Sequence, residues 1–281
     1  MDGQPVHTGE MDSSSPDTMQ TQKICQQLIH LLGILSHEFR TPLAIINTAT
    51  SLLLRHQFSL EEQNEMLQMV QQANKRLSTL TDRLIELAQL EAGLTGIEYG
   101  SVDVVRVIQD VLLNTQQDIA ESLRDRFTFQ LQCQDETGNP TQEAPLIMGD
   151  TRCVHEVFAH LLENAVHFSP KGGNIEIIVR PASPQQTVST HEKSLDTSAF
   201  LEICVCDSGL GIESQHLERI FERFYQVETG LTREVSGLGV GLTICSHLIA
   251  LQRGKIWAES QEQQGSTFRV WLPCYEPVSI A

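Results

Sequence analysis

The chain has 281 residues, 40% hydrophobic and 20% charged, enough to bury the cores of one or two globular domains. Its 19 Lys and Arg against 36 Asp and Glu give a formal charge of -17, which repels nucleic acid and anionic lipid and argues against either as a partner. No apolar run reaches the roughly 18 residues of a membrane span and no apolar segment follows Met1, so neither insertion nor export is expected and the cytoplasm is the expected location.

Residues 1–22 are rich in Ser, Thr, Gln, Asp and Gly without periodicity, which predicts a disordered tail too short for a sensor domain. Apolar residues then recur at helical spacing from about 23 to 56. Within that helix lies Ser36-His37-Glu38-Phe39-Arg40-Thr41-Pro42-Leu43. His37 and Thr41 are four apart and stack on one face, with Glu38 roughly 100° around the cylinder. An imidazole with a carboxylate beside it suits a nucleophile, because the carboxylate can hold or take one ring proton while the other nitrogen attacks. A solvated helical face is the bland alternative. The zinc motif H-E-x-x-H is excluded, because Thr41 stands where the second imidazole would be. The octapeptide closely resembles the phospho-acceptor box of sensor histidine kinases. That resemblance implies His37 as phospho-acceptor, Glu38 as general base, and Thr41 as the residue that orients a water in a phosphatase reaction.

Ser59 and Glu62 form a predicted capping box for a second helix, 61–92. Met66, Val70, Ala73, Leu77, Leu80, Leu84 and Leu87 alternate steps of four and three, a heptad seam. One seam on each of two short-linked antiparallel helices leaves apolar surface exposed in a monomer, and each large side chain buried contributes roughly 1.5–3 kcal/mol. A homodimer through residues 23–92, forming a four-helix bundle, is therefore expected over a lone hairpin. The first helix reads Ile24, Leu28, Leu31, Leu35, Phe39, Pro42, Ile46, Ala49 and Leu53, with two successive steps of four around His37. Such a stutter unwinds the supercoil locally, and Pro42 removes a donor one turn after Glu38, so a bistable bundle at the acceptor is expected.

Glycines 93, 96 and 100 predict a hinge over 93–100, followed by a second domain, 101–275, and a short tail, 276–281. The pattern there predicts helices over 103–121, 151–168 and 240–251 and strands over 127–133, 146–148, 174–180 and 200–206. A hairpin of 255–259 and 267–272 turns at Gly265, and residues 181–198 read as a mobile polar loop. Helices segregated from a mixed sheet make an α/β sandwich. The seven cysteines are scattered, with no C-x-x-C, and Cys204 and Cys206 read as buried reduced thiols.

Four clusters in this domain are candidates for one ligand site. Asp207-Ser-Gly209-Leu-Gly211 follows a strand, placing a carboxylate at a strand end before flexible backbone, where it can accept from an adenine amino group. Gly237-Leu-Gly239-Val-Gly241 precedes a helix and offers N–H groups to phosphate; its spacing and the polar loop before it differ from the dinucleotide fingerprint. His160-Leu-Leu-Glu-Asn164-Ala-Val-His167-Phe168 and Ile220-Phe221-Glu-Arg-Phe224-Tyr225 resemble the asparagine and phenylalanine boxes of the same kinases. The order of all these boxes, ending in Gly265-Ser-Thr267-Phe, is similar to that family over about residues 25–275. The resemblance implies a Bergerat-type ATPase fold with ATP and Mg²⁺ as cofactors. It places Asn164 on Mg²⁺, Asp207 on adenine, Phe168 against the base, and Gly209, Gly211, Gly237, Gly239, Gly241, His167 and Thr267 around the nucleotide, under a lid of about 226–236.

His160 and His167 depart from the box, which has Asn and Lys at those positions. A zinc site of these two with Asn164 is a weak alternative. Because a His is neutral more often than a Lys, phosphate holding is expected to strengthen on mild acidification. The implied function is an autokinase that moves the ATP γ-phosphoryl to His37 and then to an aspartate of a response-regulator receiver domain, with phosphatase action on that regulator and an unidentified sensory partner. A phosphotransfer scaffold with a degenerate nucleotide site and a conformational ATPase are the rival readings.

Overall fold

A computed structural model describes residues 16–55, 58–119, 121–182, 200–227 and 238–275. The chain divides into two compact units between Ser78 and Thr79, within the second helix. Helix α1 is Pro16–Arg55 and helix α2 is Leu60–Glu91. The tail expectation is corrected for residues 16–22, which continue α1; proline favours a first helical position because its missing N–H is unpaired there anyway. Pro42 lies inside α1, and the helix runs through it.

The capping box forms as expected. Ser59 N–H donates to Glu62 Oε2 at 2.8 Å and Glu62 N–H to Ser59 Oγ at 3.3 Å. Arg76 and Glu38 join at 3.1 Å across the connection, which sets the two helices antiparallel in the first unit. Of the expected seams, Pro42, Ala49, Ala73, Leu80 and Leu87 are buried, whereas Leu32, Leu43, Leu54, Leu60 and Leu67, outside the seams, are exposed.

Gly93 ends α2 in the left-handed region at φ 65°, with Leu94 N–H donating to Gln89 O at 3.0 Å, a helix cap in which glycine is favoured because it lacks a Cβ. Gly100, placed in the hinge by sequence, instead opens strand β1 (Gly100–Val102) and pairs with Gly149 of β4. Helix α3 (Val104–Asp118) starts at Asp103, whose side chain accepts from Arg106 N–H. Then follow α4 (Glu121–Arg124), β2 (Phe127–Gln134), β3 (Pro140–Thr141), β4 (Ile147–Gly149), α5 (Thr151–His167) and β5 (Gly173–Pro181). Strand β6 (Phe200–Asp207), helix α6 (Gly241–Leu251) and strands β7 (Lys255–Ser260) and β8 (Ser266–Pro273) complete the unit. The expected loop over 181–198 lies outside the described residues beyond Ala182, as does the tail 276–281.

The main sheet runs β3-β2-β5-β6-β8-β7, antiparallel except for the parallel pair β2 and β5. One face carries Ile175, Ile177, Val179, Leu201, Ile203, Val205, Phe268, Val270 and Leu272, all buried, and packs under α5 and α6, with α3 against α5. The other face centres on Glu202, buried but held by Arg180 at 2.7 Å, Arg269 at 3.1 Å and Trp271 Nε1 at 3.2 Å. A buried charge costs several kcal/mol unless paired in this way. The expected α/β sandwich is thus present, and Cys204 and Cys206 are reduced thiols as expected, the first buried and the second half-buried.

Candidate functional site

In the first unit, the His37 side chain is 78% exposed and that of Glu38 only 8%. Helical period explains the contrast: one step turns the side chain from the outer face toward α2. Glu38 Oε2 meets Arg76 at 3.1 Å, and its Oε1 lies 3.6 Å from His37 Nδ1. The imidazole therefore has a carboxylate on its Nδ1 side and no partner at Nε2 among the described residues. Thr41 Oγ1 donates back to His37 O at 3.3 Å and is exposed, as serine and threonine hydroxyls on helices often do.

In the second unit, α5 carries the asparagine box. Asp150 caps it, accepting from Arg152 N–H at 2.8 Å and Glu98 N–H at 2.9 Å. Burial works against ionisation of Asp150, but these bonds and the Arg152 guanidinium hold its carboxyl below the ordinary 3.8. Asn164 is half-buried near the C-terminal end, and its amide has no partner among the described residues. Phe168 follows at the C-cap, 38% exposed, with its ring edge-on to that of exposed His167 at 5.5 Å.

Asp207 ends β6 beside this helix terminus. Burial pushes its carboxyl above the usual range, and N–H bonds from Gly209 at 2.8 Å and Ser266 at 3.2 Å offset this in part. Both bonds end on Oδ1, so Oδ2 keeps its acceptor capacity. Gly209 is packed so tightly that a Cβ would run into Phe168 O and, at 2.8 Å, Ser169 Oγ. Leu210 N–H donates to Phe168 O at 3.0 Å, which ties the aspartate-glycine segment to the end of α5. Gly211 (φ 69°) and Gly239 (φ 65°) both need the left-handed region, and a Cβ on Gly239 would meet Tyr225 O at 2.7 Å. Gly241 opens α6, with His160 Nδ1 3.5 Å from where its Cβ would stand. Gly237 and residues 228–236 of the expected lid lie outside the described residues.

Thr267 is corrected. It pairs with Cys206, and directly opposed residues share a sheet face, so it stands on the face away from Asp207. Ser266, one residue earlier, pairs with Asp207 and supplies the N–H donor. Sequence reasoning missed Ser266, Ser169 and Thr243. Ser169 Oγ is buried without a partner next to Gly209. Thr243 donates to Phe221 O at 3.1 Å, and Phe224 N–H to Gly239 O at 3.0 Å, so the phenylalanine box is fastened to the glycine segment. Only the spacing of G-S-T-F and T-I-C after the glycines hinted at them.

These features fit a purine nucleotide: a carboxylate acceptor, glycines whose missing Cβ atoms let the surrounding segments pack closely, an orphaned hydroxyl and a helix N-terminus after the last glycines. The unpartnered amide of Asn164 supplies the hard oxygen that Mg²⁺ prefers. An acceptor-type helical hairpin followed by an ATPase sandwich defines the class of two-domain histidine kinases. Comparison with known proteins agrees. The family described as "His Kinase A (phospho-acceptor) domain" matches residues 27–93, and "Histidine kinase-, DNA gyrase B-, and HSP90-like ATPase" matches residues 149–276. The chain belongs to the sensor histidine kinases. It is 29% identical to the circadian input-output histidine kinase CikA of Synechococcus elongatus, over 86% of this chain and 29% of that protein. It is 28% identical to the adaptive-response sensory kinase SasA of a Nostoc species, over 91% of this chain and 60% of that protein. The chain thus spans less than two thirds of either relative. The crystal structure of histidine kinase ThkA in complex with response regulator protein TrrA has a similar fold, with 19% identity, a TM-score of 0.61, and coverage of 94% of this chain and 68% of that one. Among the described residues, no helix is long and apolar enough to cross a membrane.

Proposed function

We propose that this chain is an ATP-dependent kinase of its own His37, working in the cytoplasm as a homodimer through residues 23–92, and that it passes the phosphoryl group to an aspartate of a response-regulator receiver domain. The observation that carries this reading is the 78% exposed imidazole whose neighbour Glu38 is buried and fixed by Arg76. The match to a phospho-acceptor family and the regulator bound to a structural neighbour support it.

With a proton on Nδ1 facing Glu38, the Nε2 lone pair points outward and needs no base to free it. In the transfer, Nε2 bonds to the γ-phosphorus, the bond from phosphorus to the bridging oxygen breaks, and ADP departs with that electron pair. The ring then carries positive charge, which the Glu38 carboxylate stabilises and from which it can take the Nδ1 proton. Asp207, Phe168, Gly209, Gly211, Gly239 and Gly241, with Gly237 and His167 by resemblance, hold the nucleotide. Asn164 would hold Mg²⁺, which when bound neutralises phosphate charge. In the second step, the receiver carboxylate takes the phosphoryl group and leaves neutral His37. Thr41 retains acceptor lone pairs to orient a water against the phosphoaspartate, giving phosphatase action.

The test is incorporation of label from γ-labelled ATP into purified protein. Acid-labile label on the wild type and none on His37→Ala is expected. Label that survives in His37→Ala overturns the assignment, and ATP turnover without any label points to a conformational ATPase.

A further inference from the structure

His160, one of the two departures from the asparagine box, does not face the nucleotide glycines alone. On α5 it lies four residues after Glu156, and both face Glu86 of α2, all three within the second unit. One ligand atom from each lies within 4.8 Å of the others. His160 is 8% exposed, and its Nε2 is buried without a hydrogen-bond partner, 4.0 Å from Glu86 Oε2. Glu86 Oε1 is likewise buried and unpartnered.

The charge balance is unmet. Arg83, one turn earlier on α2, pairs with Glu163. Glu163 Oε2 also lies 4.0 Å from His160 Nδ1, on the opposite side of the ring from Glu86. Two carboxyls and an imidazole thus converge with no Lys or Arg among them. Glu156 is hydrogen-bonded to Glu86, and two carboxyl groups share such a bond only with a proton between them, where a cation would serve. Buried polar atoms are normally satisfied, and two orphaned atoms on residues of one cluster need an explanation.

We propose that Glu86, Glu156 and His160 form a site for a divalent first-row transition metal of the Zn²⁺ type, which ties the last turns of α2 to α5. Imidazole nitrogen with carboxylate oxygens suits such ions and not Mg²⁺, which prefers oxygen ligands in near-octahedral geometry. Three protein ligands leave a fourth position for water. Binding displaces the shared carboxyl proton. The site is independent of the kinase reading, since neither Asn164 nor Asp207 belongs to it.

The experiment uses chelator-stripped, nucleotide-free protein without a histidine tag, in millimolar Mg²⁺. Co²⁺ is added and followed by visible absorbance, then displaced by Zn²⁺. One equivalent of Co²⁺ with d–d bands and no thiolate charge-transfer band is expected. Glu86→Gln and His160→Asn should each weaken Zn²⁺ binding by roughly 10–100-fold or more. Zn²⁺ should raise the melting temperature of the wild type and not of the double variant. The proposal is overturned by absence of stoichiometric binding, by a thiolate band that places the ion on cysteine, or by wild-type affinity in the double variant. Because the thiolate band is read on the wild type, the result does not depend on the variants folding.

Discussion

The two ring nitrogens of His37 sit in different surroundings, and on the proposed mechanism that difference decides which one reacts. Glu38 stands on the Nδ1 side at 3.6 Å and is itself fixed by Arg76 at 3.1 Å, so it selects the tautomer with a free Nε2 lone pair. Glu38→Gln keeps the shape and loses the charge that stabilises the phosphorylated ring. Its initial rate of acid-labile label incorporation should fall by about 10²-fold or more, the lower end of what positioned acid–base groups contribute. A rate equal to wild type removes Glu38 from the chemistry. Thr41 makes the opposite case, since its hydroxyl donates to His37 O and contributes nothing to the ring. Thr41→Ala should therefore autophosphorylate normally yet leave a phosphorylated receiver domain intact, which a time course of regulator dephosphorylation measures. At this scale the sequence made legible the placement of neighbours along one helix, as for His37, Glu38 and Thr41 on α1. It was not legible where a strand's facing had to be known. Thr267 and Ser266 are adjacent and chemically alike, and a two-residue period turns an error of one residue into the wrong side of the sheet.

Helix α5 connects both halves of the second unit's chemistry, with Asn164 at one end and Glu156 and His160 along its length. Its start depends on Asp150, which is 2% exposed, caps the helix and receives bonds from Glu98 and Arg152. Losing an N-cap costs typically about 1 kcal/mol. The folded carboxyl lies below its unfolded value of 3.8. Its contribution is therefore complete above pH 3.8 and is lost as pH falls through the lower folded value. Asp150→Asn should lower the melting temperature at neutral pH, and the gap from wild type should close in acid; a gap that persists there shows that charge is not involved. Long periodic helices and alternating strands were readable from sequence, as was the capping box at Ser59 and Glu62. Strands β1 and β3 were not, since three and two residues carry no period. The single-turn helices Ser214–His216 and Arg219–Phe221 escaped for the same reason. Residues 16–22 lack an apolar stripe and are helical as an extension of α1, for which propagation is easier than nucleation.

On the scale of the molecule, the order of boxes along the chain carried most of the identification, because each glycine cluster alone reads as a turn and their sequence does not. The oligomeric state rests on a different feature. Among the described residues of the first unit, the seam positions from Leu35 to Leu53 and from Met66 to Leu77 are half-buried or buried, so the hairpin already covers much of both seams by itself. What remains is a second stripe. Leu32, Leu43 and Leu54 follow at steps of eleven, three helical turns, and so lie on one face of α1, at 61%, 47% and 87% exposure. Leu60 and Leu67, seven apart on α2, are 76% and 54% exposed. Each leucine covered by a two-fold partner contributes roughly 1.5–3 kcal/mol, so the stripe, counted on both copies, is sufficient to hold a dimer. Replacing Leu32 and Leu43 by Glu leaves the seams and His37 untouched and puts four charges per dimer into that surface. Light scattering on the eluted protein should then give the mass of one chain where the wild type gives two, with helical circular dichroism retained. A dimer that persists in the double variant would place the partner surface elsewhere on the hairpin.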